Sequence, residues 1–372
     1  MKMWWLSLLI FMALLMVGFC LSERKILWGD EIYTQRGIDG HSYGDILTLH
    51  FLEGNRSPLF YIIQKTVSNV FSFRLTIQQT YEQWIIHDER SQVIMRISSN
   101  ISMSLALAVI FYFFASRFSV WTGLYALVLA LAMPMVWRFW VEARPYSLWF
   151  LLTTIQLCLA YLAITSKEIS ETRVPKGLLL THLLLSLTTI GAMAQIIIVS
   201  LMVWRLGPYK KQWVLVLPAG IALFYFWAAP GYSAKVDALW SPLLEVVMPE
   251  HLIIYALYGF LLWRSFCQKK PVGNTFFFAI FLLFLTSAVS MLFIFSLKKT
   301  AQFGFYSRYL IYMVPLDIMM MTLASRDLMQ WAKKNTGGWI NTGILLGGLL
   351  ICRAVMTYAY MLALGIFSHT PD

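Results

Sequence analysis

The sequence predicts an all-α, polytopic membrane protein, and three observations lead to that prediction. The chain of 372 residues is 59% hydrophobic and only 13% charged, whereas a soluble domain is usually about one-quarter charged. Apolar runs of about 20 residues, the length that crosses a bilayer, recur along the chain. Aromatic residues make up 16% of it, which fits belts of Trp and Tyr at the membrane interfaces. We therefore treat residues 1–372 as a single transmembrane domain.

About eleven membrane spans are expected from these apolar runs. Residues 177–207 would also fit one long helix, but GAMAQ (Gly191 to Gln195) offers a tight reversal, so we divide them there. Each half is then short for a span. The expected spans are 3–21, 97–115, 118–137, 145–165, 177–191, 193–207, 212–229, 251–266, 275–297, 308–324 and 338–364.

The basic residues set the orientation of these spans. With the N-terminus inside, fourteen Lys and Arg residues fall on the inner side: Lys2, Arg117, Lys167, Arg173, Lys176, Arg205, Lys210, Lys211, Arg264, Lys269, Lys270, Arg326, Lys333 and Lys334. Outside the long first loop, six fall on the outer side: Arg138, Arg144, Lys235, Lys298, Lys299 and Arg308. Short cytoplasmic loops carry such an excess. A single helix over 177–207 would invert the later spans and remove the bias. Topology thus accounts for the net charge of +11, and nucleic acid is not an expected partner.

The first apolar run, 3–21, is expected to be a retained helix. It is long for the apolar region of a signal peptide, and VGFC lacks the small residue that a lipoprotein cleavage site places before Cys20. The four cysteines and six histidines are scattered and show no ligand spacing. We therefore predict no metal site and no cofactor.

The first outer loop, 22–96, is the longest extramembrane segment expected. It begins with WGDEIYT, which holds the adjacent carboxylates Asp30 and Glu31. Apolar residues at helical spacing over 57–73, and again over 75–86, predict amphipathic helices lying on the membrane surface.

Charged residues from distant parts of the chain are expected to meet at the outer boundary of the membrane. Charges near a bilayer are costly, so a cluster on one side is a candidate site; the alternative is that they anchor helix ends and bind lipid headgroups. The candidate catalytic residues are Asp30 and Glu31, and the candidate substrate-binding or phosphate-binding residues are Arg96, Glu142, Arg144, Tyr146, Lys299, Arg308 and Tyr309.

Five stretches in order carry a family resemblance. They are WGDEIYT, SPLFYII, MRISSNISMSLALAV, EARPYSLWFL and SRYLIYMVPL, within roughly residues 1–325. The ordered set resembles the GT-C membrane glycosyltransferases related to protein O-mannosyltransferases and lipid A aminoarabinose transferases. Such enzymes move a sugar from a polyprenyl-phosphate carrier to an acceptor at the outer or lumenal face.

Two stretches depart from the family pattern. NRSPLFY stands where relatives carry a His-Pro-Pro-Leu-Tyr-Tyr-like stretch, and GAMAQ stands where a His-Tyr pair is common. The resemblance implies a polyprenyl-phosphate sugar donor, with a lipid, polysaccharide or protein acceptor left open. It also implies a multi-pass protein of a bacterial inner or plasma membrane, active on the non-cytoplasmic face.

The predicted chemistry divides into a base and a phosphate site. A carboxylate in an outward-facing cleft suits the general base, and the resemblance assigns this role to Asp30; the same residue would also serve as N-cap of a helix beginning at Glu31. Glu31 would orient the loop or a sugar hydroxyl. Arginine is suited to phosphate because its planar fork makes two parallel hydrogen bonds. The resemblance implies Arg308 and Arg144 as the phosphate ligands, ahead of Arg96 and Lys299. Glu142 is expected to pair with Arg144 or Arg96.

Two alternatives to a transferase remain. A transporter or flippase for a lipid-linked sugar would also have many helices and an outer cationic cluster, although we find no related halves of the kind transporters show. A nonenzymatic subunit for cell-envelope polysaccharide assembly would not need Asp30. Within the spans, Asp317 and Arg353 are expected to face each other at similar depth, because unpaired charges there are costly.

Overall fold

The computed structural model describes residues 3–48, 58–75, 88–165, 173–189, 191–206, 212–228, 310–335 and 339–363, and the isolated positions 253, 256, 259 and 260. Within these ranges all regular secondary structure is helical, and there is no β-strand. The predicted class, an all-α protein with membrane-spanning helices, is confirmed at this level.

The helices are numbered in chain order over the described ranges. The N-terminal half contains α1 (Met3–Arg24), α2 (Gly29–Gly40), α3 (Tyr43–Leu47), α4 (Pro58–Val70), α5 (Glu89–Arg117), α6 (Val120–Leu131), α7 (Pro134–Trp140) and α8 (Tyr146–Thr165). The C-terminal half contains α9 (Arg173–Ser186), α10 (Ala192–Leu206), a 3₁₀ turn (Gln212–Val216), α11 (Pro218–Ala228), α12 (Met313–Asn335) and α13 (Trp339–Ala363).

Four of these helices are long and apolar enough to cross a membrane. They are α1, α5, α8 and residues Ile340–Ala359 of α13, and the pair α6 and α7 makes a fifth if it is counted as one bent span. They match the predicted spans 3–21, 97–115, 145–165 and 338–364. The described residues thus contain four or five candidate spans at predicted positions, and the full set of eleven stays a prediction.

The span predicted over 118–137 falls on α6 and α7, and the chain bends by 72° between these two helices. Pro134 is the first residue of α7 and has no N–H with which to continue the helix. A residue before proline is pushed to extended backbone, and Met133 adopts φ −93° and ψ 121°. The break therefore follows from the local sequence.

Three further predicted spans fall on shorter apolar helices. Over 177–207 the structure has two helices, α9 and α10, so the predicted division is confirmed. The N–H of Leu59, in α4, donates to the carbonyl of Leu187 just after α9 at 2.8 Å. The segment that links α9 to α10 therefore lies beside α4. The third short helix, within 212–229, comprises the 3₁₀ turn and α11.

The remaining predictions for the spans are met only in part. The span expected at 308–324 corresponds to α12, which begins at Met313 and continues to Asn335 past Arg326 and Asp327. The spans expected at 251–266 and 275–297 lie almost entirely outside the described residues.

In the first outer loop the predicted helix over 57–73 is confirmed as α4, which covers Pro58–Val70. Its buried face includes Phe60, Tyr61 and Gln64, whereas Val70 is exposed. The second predicted amphipathic segment, 75–86, lies outside the described residues apart from Leu75.

Helix α1 packs closely on α5 because Gly18 lets the two backbones approach. A Cβ at Gly18 would lie 2.7 Å from Trp140 Nε1 and 3.0 Å from Asn100 Oδ1. One turn later, the Asn100 side-chain amide donates to the Ser22 hydroxyl at 2.9 Å. The C-terminal end of α1 is thereby fixed against the N-terminal half of α5.

The C-terminal helix α13 reaches the break between α6 and α7. The buried Arg353 side chain donates through Nε to the Ala132 carbonyl at 3.1 Å, and the Thr357 hydroxyl donates to the same oxygen. A backbone carbonyl released by a helix break in a membrane needs such partners. Asp317 is also fully buried; its predicted contact with Arg353 stays a prediction.

Replacing Gly18 by Ala is expected to destabilise the protein by about 1–3 kcal/mol, the usual range for overpacking. Trp140 is fully buried and cannot move aside without disturbing its neighbours. The thermal midpoint of the detergent-solubilised protein measures the effect. Gly220→Ala is the matched control, because a Cβ at Gly220 meets no atom within 4 Å. Equal midpoints for the two variants would contradict the close contact.

Candidate functional site

The first turn of α2 carries both candidate catalytic carboxylates. Trp28 has extended backbone (φ −113°, ψ 168°) and is the N-cap residue. The predicted helix start at Glu31 with Asp30 as its N-cap is therefore wrong, since Asp30 is the second residue of the helix. Acidic side chains in a first turn are favoured by the helix dipole. In addition, the Glu31 carboxylate accepts from the Trp28 N–H at 3.4 Å, as in the reciprocal half of a capping box.

Glu31 forms a buried ion pair with Arg96 of α5. Arg96 Nε donates to Glu31 Oε1 at 2.9 Å, and Nη2 donates to Oε2 at 2.7 Å. Both side chains are fully buried. Two parallel bonds between a guanidinium and a carboxylate are the strongest geometry for such a pair.

The remaining donors of Arg96 bind the backbone that links α1 to α2. Nη1 donates to the Ser22 carbonyl at 3.1 Å and also to the Lys25 carbonyl, and Nη2 donates to the Ile26 carbonyl at 2.8 Å. Arginine has five N–H donors, and all five are thus used within the protein. Contact between Arg96 and a substrate phosphate, as predicted, would require one of these bonds to break. The geometry instead gives Arg96 a structural role.

Glu31 also holds the segment between α7 and α8. The Ala143 N–H donates to Glu31 Oε1 at 2.7 Å, and the Ser99 hydroxyl donates to the Glu142 carbonyl at 2.6 Å. When the bonds from Arg96 and from the Trp28 N–H are added to the bond from Ala143, each carboxylate oxygen of Glu31 accepts two hydrogen bonds. Of the two roles predicted for Glu31, orienting the loop is the one that this geometry favours.

Arg144 lies against α2 from the other side. Its Nη1 donates to the Thr34 hydroxyl at 2.7 Å and, more weakly, to the Asp30 carbonyl at 3.4 Å. The Thr34 hydroxyl in turn donates to the Asp30 carbonyl at 2.9 Å. Arg144 is buried and Asp30 is half-buried. The structure therefore brings the predicted base and a predicted phosphate ligand to the same turn of α2.

A buried polar network underlies α2. The Gln35 amide donates to Ser68 of α4 at 3.0 Å and to Asp39 at 2.8 Å, and the Ser98 hydroxyl of α5 donates to Gln64 of α4 at 2.6 Å. Satisfied buried networks hold their members in one arrangement. This network fixes the position of α2, and with it Asp30 and Glu31, over α4 and α5.

The electrostatic environments of Glu31 and Glu142 differ. Burial would raise the pKa of the Glu31 carboxyl, but the charge of Arg96 and its hydrogen bonds hold that pKa below the usual value. Burial raises the pKa of the Glu142 carboxyl, and Lys25, Arg144 and Arg138 only partly offset this. No hydrogen bond reaches the Glu142 carboxylate from the described residues, so the predicted pairing with Arg144 or Arg96 is replaced by longer-range attraction.

Lys25 completes what we call the charge cluster: Lys25, Asp30, Glu31, Arg96, Glu142 and Arg144. Burial lowers the pKa of the Lys25 ammonium, although the charges of Glu142 and Glu31 raise it. Pairs of titratable groups whose pKa values are pushed in opposite directions mark candidate acid–base sites. Lys25 and Glu142 form such a pair.

The other predicted site residues are not part of this cluster as described. Tyr146 is buried at the start of α8, with its ring 4.8 Å from that of Phe139. Lys299, Arg308 and Tyr309 lie outside the described residues. Among the described residues, no three His, Cys, Asp or Glu side chains come together as a metal site would need.

Sequence reasoning missed Lys25 and Thr34. Lys25 was left aside because long loops do not enter the charge count, and Thr34 has no signal apart from its position four residues after Asp30, one helical turn away. Gln195, in the divergent GAMAQ turn, also has a clear structural role. It accepts from the Trp149 indole N–H at 3.0 Å and donates to Gln156 at 2.6 Å, tying α10 to α8.

The chain was compared with known proteins in three ways. No protein-family model, curated protein or solved structure matches it. The resemblance to GT-C glycosyltransferases therefore stays a prediction.

Replacing Arg96 by Lys is expected to loosen the first outer loop and to cost up to about 3–5 kcal/mol, the range for breaking a buried ion pair. One ammonium cannot replace a planar fork that binds Glu31 and three carbonyl groups. Amide hydrogen exchange of residues 29–40 should rise strongly. Arg24→Lys, at an exposed arginine nearby, is the matched control. Wild-type exchange in the Arg96 variant would refute the role given to this side chain.

Replacing Glu142 by Gln is expected to stabilise the protein more as the pH rises. Because the folded state raises the pKa of Glu142 above its usual 4.5, ionisation opposes folding above about that pH and has no effect well below it. Thermal midpoints at about pH 4 and about pH 8 should therefore show a gain for the variant only at the higher pH. Glu31→Gln should show a loss there, because its folded pKa is lowered. A gain at acidic pH alone would contradict the assignment.

Proposed function

We propose that this protein is an integral membrane glycosyltransferase of the GT-C type. It moves a sugar from a polyprenyl-phosphate carrier to an acceptor, which is a lipid, a polysaccharide or a protein, at the outer membrane face. The observation that carries the proposal is the charge cluster. Its three acidic and three basic side chains come from α2, α5 and the links between α1 and α2 and between α7 and α8.

The location of the charge cluster suits a lipid-linked donor. Helices α1, α5 and α8 are each long enough to span a membrane. The end of each helix that is nearest the cluster is held there, through Ser22 for α1, Arg96 for α5 and Arg144 for α8. A substrate whose sugar is attached to a membrane-embedded chain would present its phosphate at this depth. Charged residues placed there at a cost in desolvation are expected to be functional.

The reaction has a simple balance of bonds. A base takes the proton of an acceptor hydroxyl, and the acceptor oxygen forms a bond to the anomeric carbon of the sugar. The bond between that carbon and the phosphate oxygen breaks, and the polyprenyl phosphate leaves with the electron pair. Attack from the face opposite the leaving group inverts the configuration at the anomeric carbon.

Asp30 is the proposed base, as the resemblance implies. Its carboxylate is half-buried on the turn of α2 that Arg144 contacts, so an acceptor hydroxyl and a phosphate would meet there. Arg144 is the proposed phosphate ligand within the described residues, and Arg308, with Lys299 and Tyr309, would complete the site. Glu142 is the second carboxyl available, and burial raises its pKa above the usual value, which favours the proton-bound form that a general acid needs.

The proposed topology has eleven spans with an inner N-terminus. The non-cytoplasmic face of a bacterial inner or plasma membrane then holds the charge cluster. The meeting of one end each of α1, α5 and α8 at the cluster supports placing these ends on the same side of the membrane. The Tyr225 hydroxyl of α11 donates to the Leu47 carbonyl of the first outer loop at 3.3 Å, which supports the same side for that end of α11.

A transporter or flippase for a lipid-linked sugar is the second candidate. The observation that favours it is the 72° break between α6 and α7, with the buried cation Arg353 on the released carbonyl of Ala132. Broken helices and charges at membrane depth are features of transporters. A flippase would move the donor across vesicles and leave the bond between sugar and phosphate intact, which separates the two functions.

Replacing Asp30 by Asn is expected to reduce sugar transfer at least about 100-fold, the lower range for losing a general base. Purified protein would be supplied with a panel of radiolabelled polyprenyl-phosphate sugars and envelope extract as acceptor. Asp45→Asn, at a half-buried carboxylate in the same loop, is the matched control. The thermal midpoint of both variants should equal that of the parent.

Full turnover by a folded Asp30 variant would remove the proposed role of this residue. If Glu142→Gln abolished transfer in the same assay while Asp30→Asn did not, the base would be Glu142. Movement of intact donor across vesicles without any transfer to acceptor would support the flippase instead.

A further inference from the structure

A groove lies between α6, α12 and α13, at the end of the helices opposite the charge cluster. Its volume is about 390 Å³, within the range of about 300–1,000 Å³ that is usual for ligand sites. Its lining includes Trp121, Tyr125, Ser325, Arg326, Gly343 and Gly347. Arg96 and Arg117 lie at opposite ends of α5, about 30 Å apart at 1.5 Å per residue, so the groove and the cluster lie on opposite sides of the membrane.

Two glycines of α13 keep the floor of the groove open. A Cβ at Gly347 would meet no atom within 4 Å, and one at Gly343 would meet only the flexible Met329 side chain, at 3.6 Å from Cε. The neighbouring lining residues, such as Leu346 and Leu350, are apolar. The groove therefore has the width and the lining for a hydrocarbon chain.

A single guanidinium occupies the polar rim of the groove. The Arg326 guanidinium carbon lies 4.2 Å from the centre of the Phe118 ring, and Nη1 is 3.3 Å from the Asp327 carboxylate. Arg326 and Asp327 are 30% and 25% exposed, so this ion pair is partly solvated and weak. The other N–H groups of Arg326 have no acceptor among the described residues, and they are suited to a phosphate.

The surroundings of the rim are basic. Arg117, Lys333 and Lys334 are exposed at the same end of the helices, and Asp327 is the acidic residue beside them. Trp121 is 80% exposed at the entrance of the groove, the position of an aromatic residue at a membrane interface. Basic residues at the membrane surface attract anionic lipids.

We propose that this groove binds one anionic phospholipid of the leaflet opposite the charge cluster, with an acyl chain along Gly343 and Gly347 and the phosphate on Arg326. The apolar floor selects a lipid chain over a soluble anion. The basic rim selects an anionic headgroup over a zwitterionic one. The site is independent of the proposed transferase activity and uses none of its residues.

Native mass spectrometry of the full-length protein tests this site. The detergent-solubilised protein would be titrated with phosphatidylglycerol or phosphatidylcholine, and bound lipid counted. The parent should retain one phosphatidylglycerol more tightly than phosphatidylcholine. Arg326→Gln should weaken that lipid about fivefold, the effect of one basic residue near a membrane surface, and should abolish the preference.

Two matched glycine variants test the groove itself. Gly347→Phe would fill the groove and should abolish binding of the tight lipid, whereas Gly348→Phe, on the exposed side of α13 where a Cβ meets nothing within 4 Å, should leave it unchanged. Thermal midpoints show whether both variants fold, and Arg326→Gln tests the same site should Gly347→Phe fail to fold.

Several results would overturn the proposal. They are equal retention of the two lipids by the parent protein, unchanged binding in Arg326→Gln, and equal loss in both glycine variants. If Gly347→Phe lowered the thermal midpoint while the parent retained no lipid, another part of the chain would fill the groove. If the parent protein instead had the mass of two copies and the Gly347→Phe variant the mass of one, the occupant would be a second copy of the chain.

Discussion

The buried ion pair between Glu31 and Arg96 is the interaction on which the arrangement of the charge cluster depends. Two charges removed from water carry a large desolvation cost, which only good geometry and further hydrogen bonds offset. Here the fork of Arg96 binds Glu31 at 2.7 and 2.9 Å and binds three carbonyl groups between α1 and α2. Glu31 in turn accepts the N–H of Ala143. One pair thus joins the end of α1, the start of α2, helix α5 and the segment before α8.

This pair also decides which groups of the charge cluster are available for chemistry. Glu31 and Arg96 satisfy each other, so their hydrogen-bonding capacity is used, and Arg96 holds the pKa of the Glu31 carboxyl below its usual value. The Glu142 carboxylate accepts no hydrogen bond from the described residues, and burial raises its pKa, whereas burial lowers the pKa of Lys25. Asp30 of α2 and Arg144, which contacts α2, complete the set. The carboxylate with a structural role, Glu31, is therefore a different residue from the proposed base, Asp30, although the two are neighbours in the first turn of α2.

The sequence predicted the helical class, the convergence of Asp30, Glu31, Arg96, Glu142 and Arg144 on one face, and the division of 177–207, because apolar runs and charge positions determine topology. It did not predict that Arg96 binds the backbone, because every residue has a carbonyl group and the residue types therefore do not show which carbonyls accept a hydrogen bond. Lys25 was hidden by its place in a long loop. The bend at Pro134 was present in the sequence and was underestimated, because hydrophobic length was given more weight than the missing proline N–H. Glu142 does not pair with Arg96, because Glu31 occupies that guanidinium, and Arg144 attracts Glu142 without an ion pair between them in the described residues.

The most direct test of the central role of this pair is a double-mutant cycle with Glu31→Gln, Arg96→Met and the two combined, measured by thermal or denaturant unfolding in detergent. If the pair joins the outer segments as described, each single change leaves a buried charge unpaired and is strongly destabilising. The combined change then costs much less than the sum, with a coupling energy at or above about 3 kcal/mol. Additive effects of the two substitutions would contradict the account, because they would mean that Glu31 and Arg96 act independently.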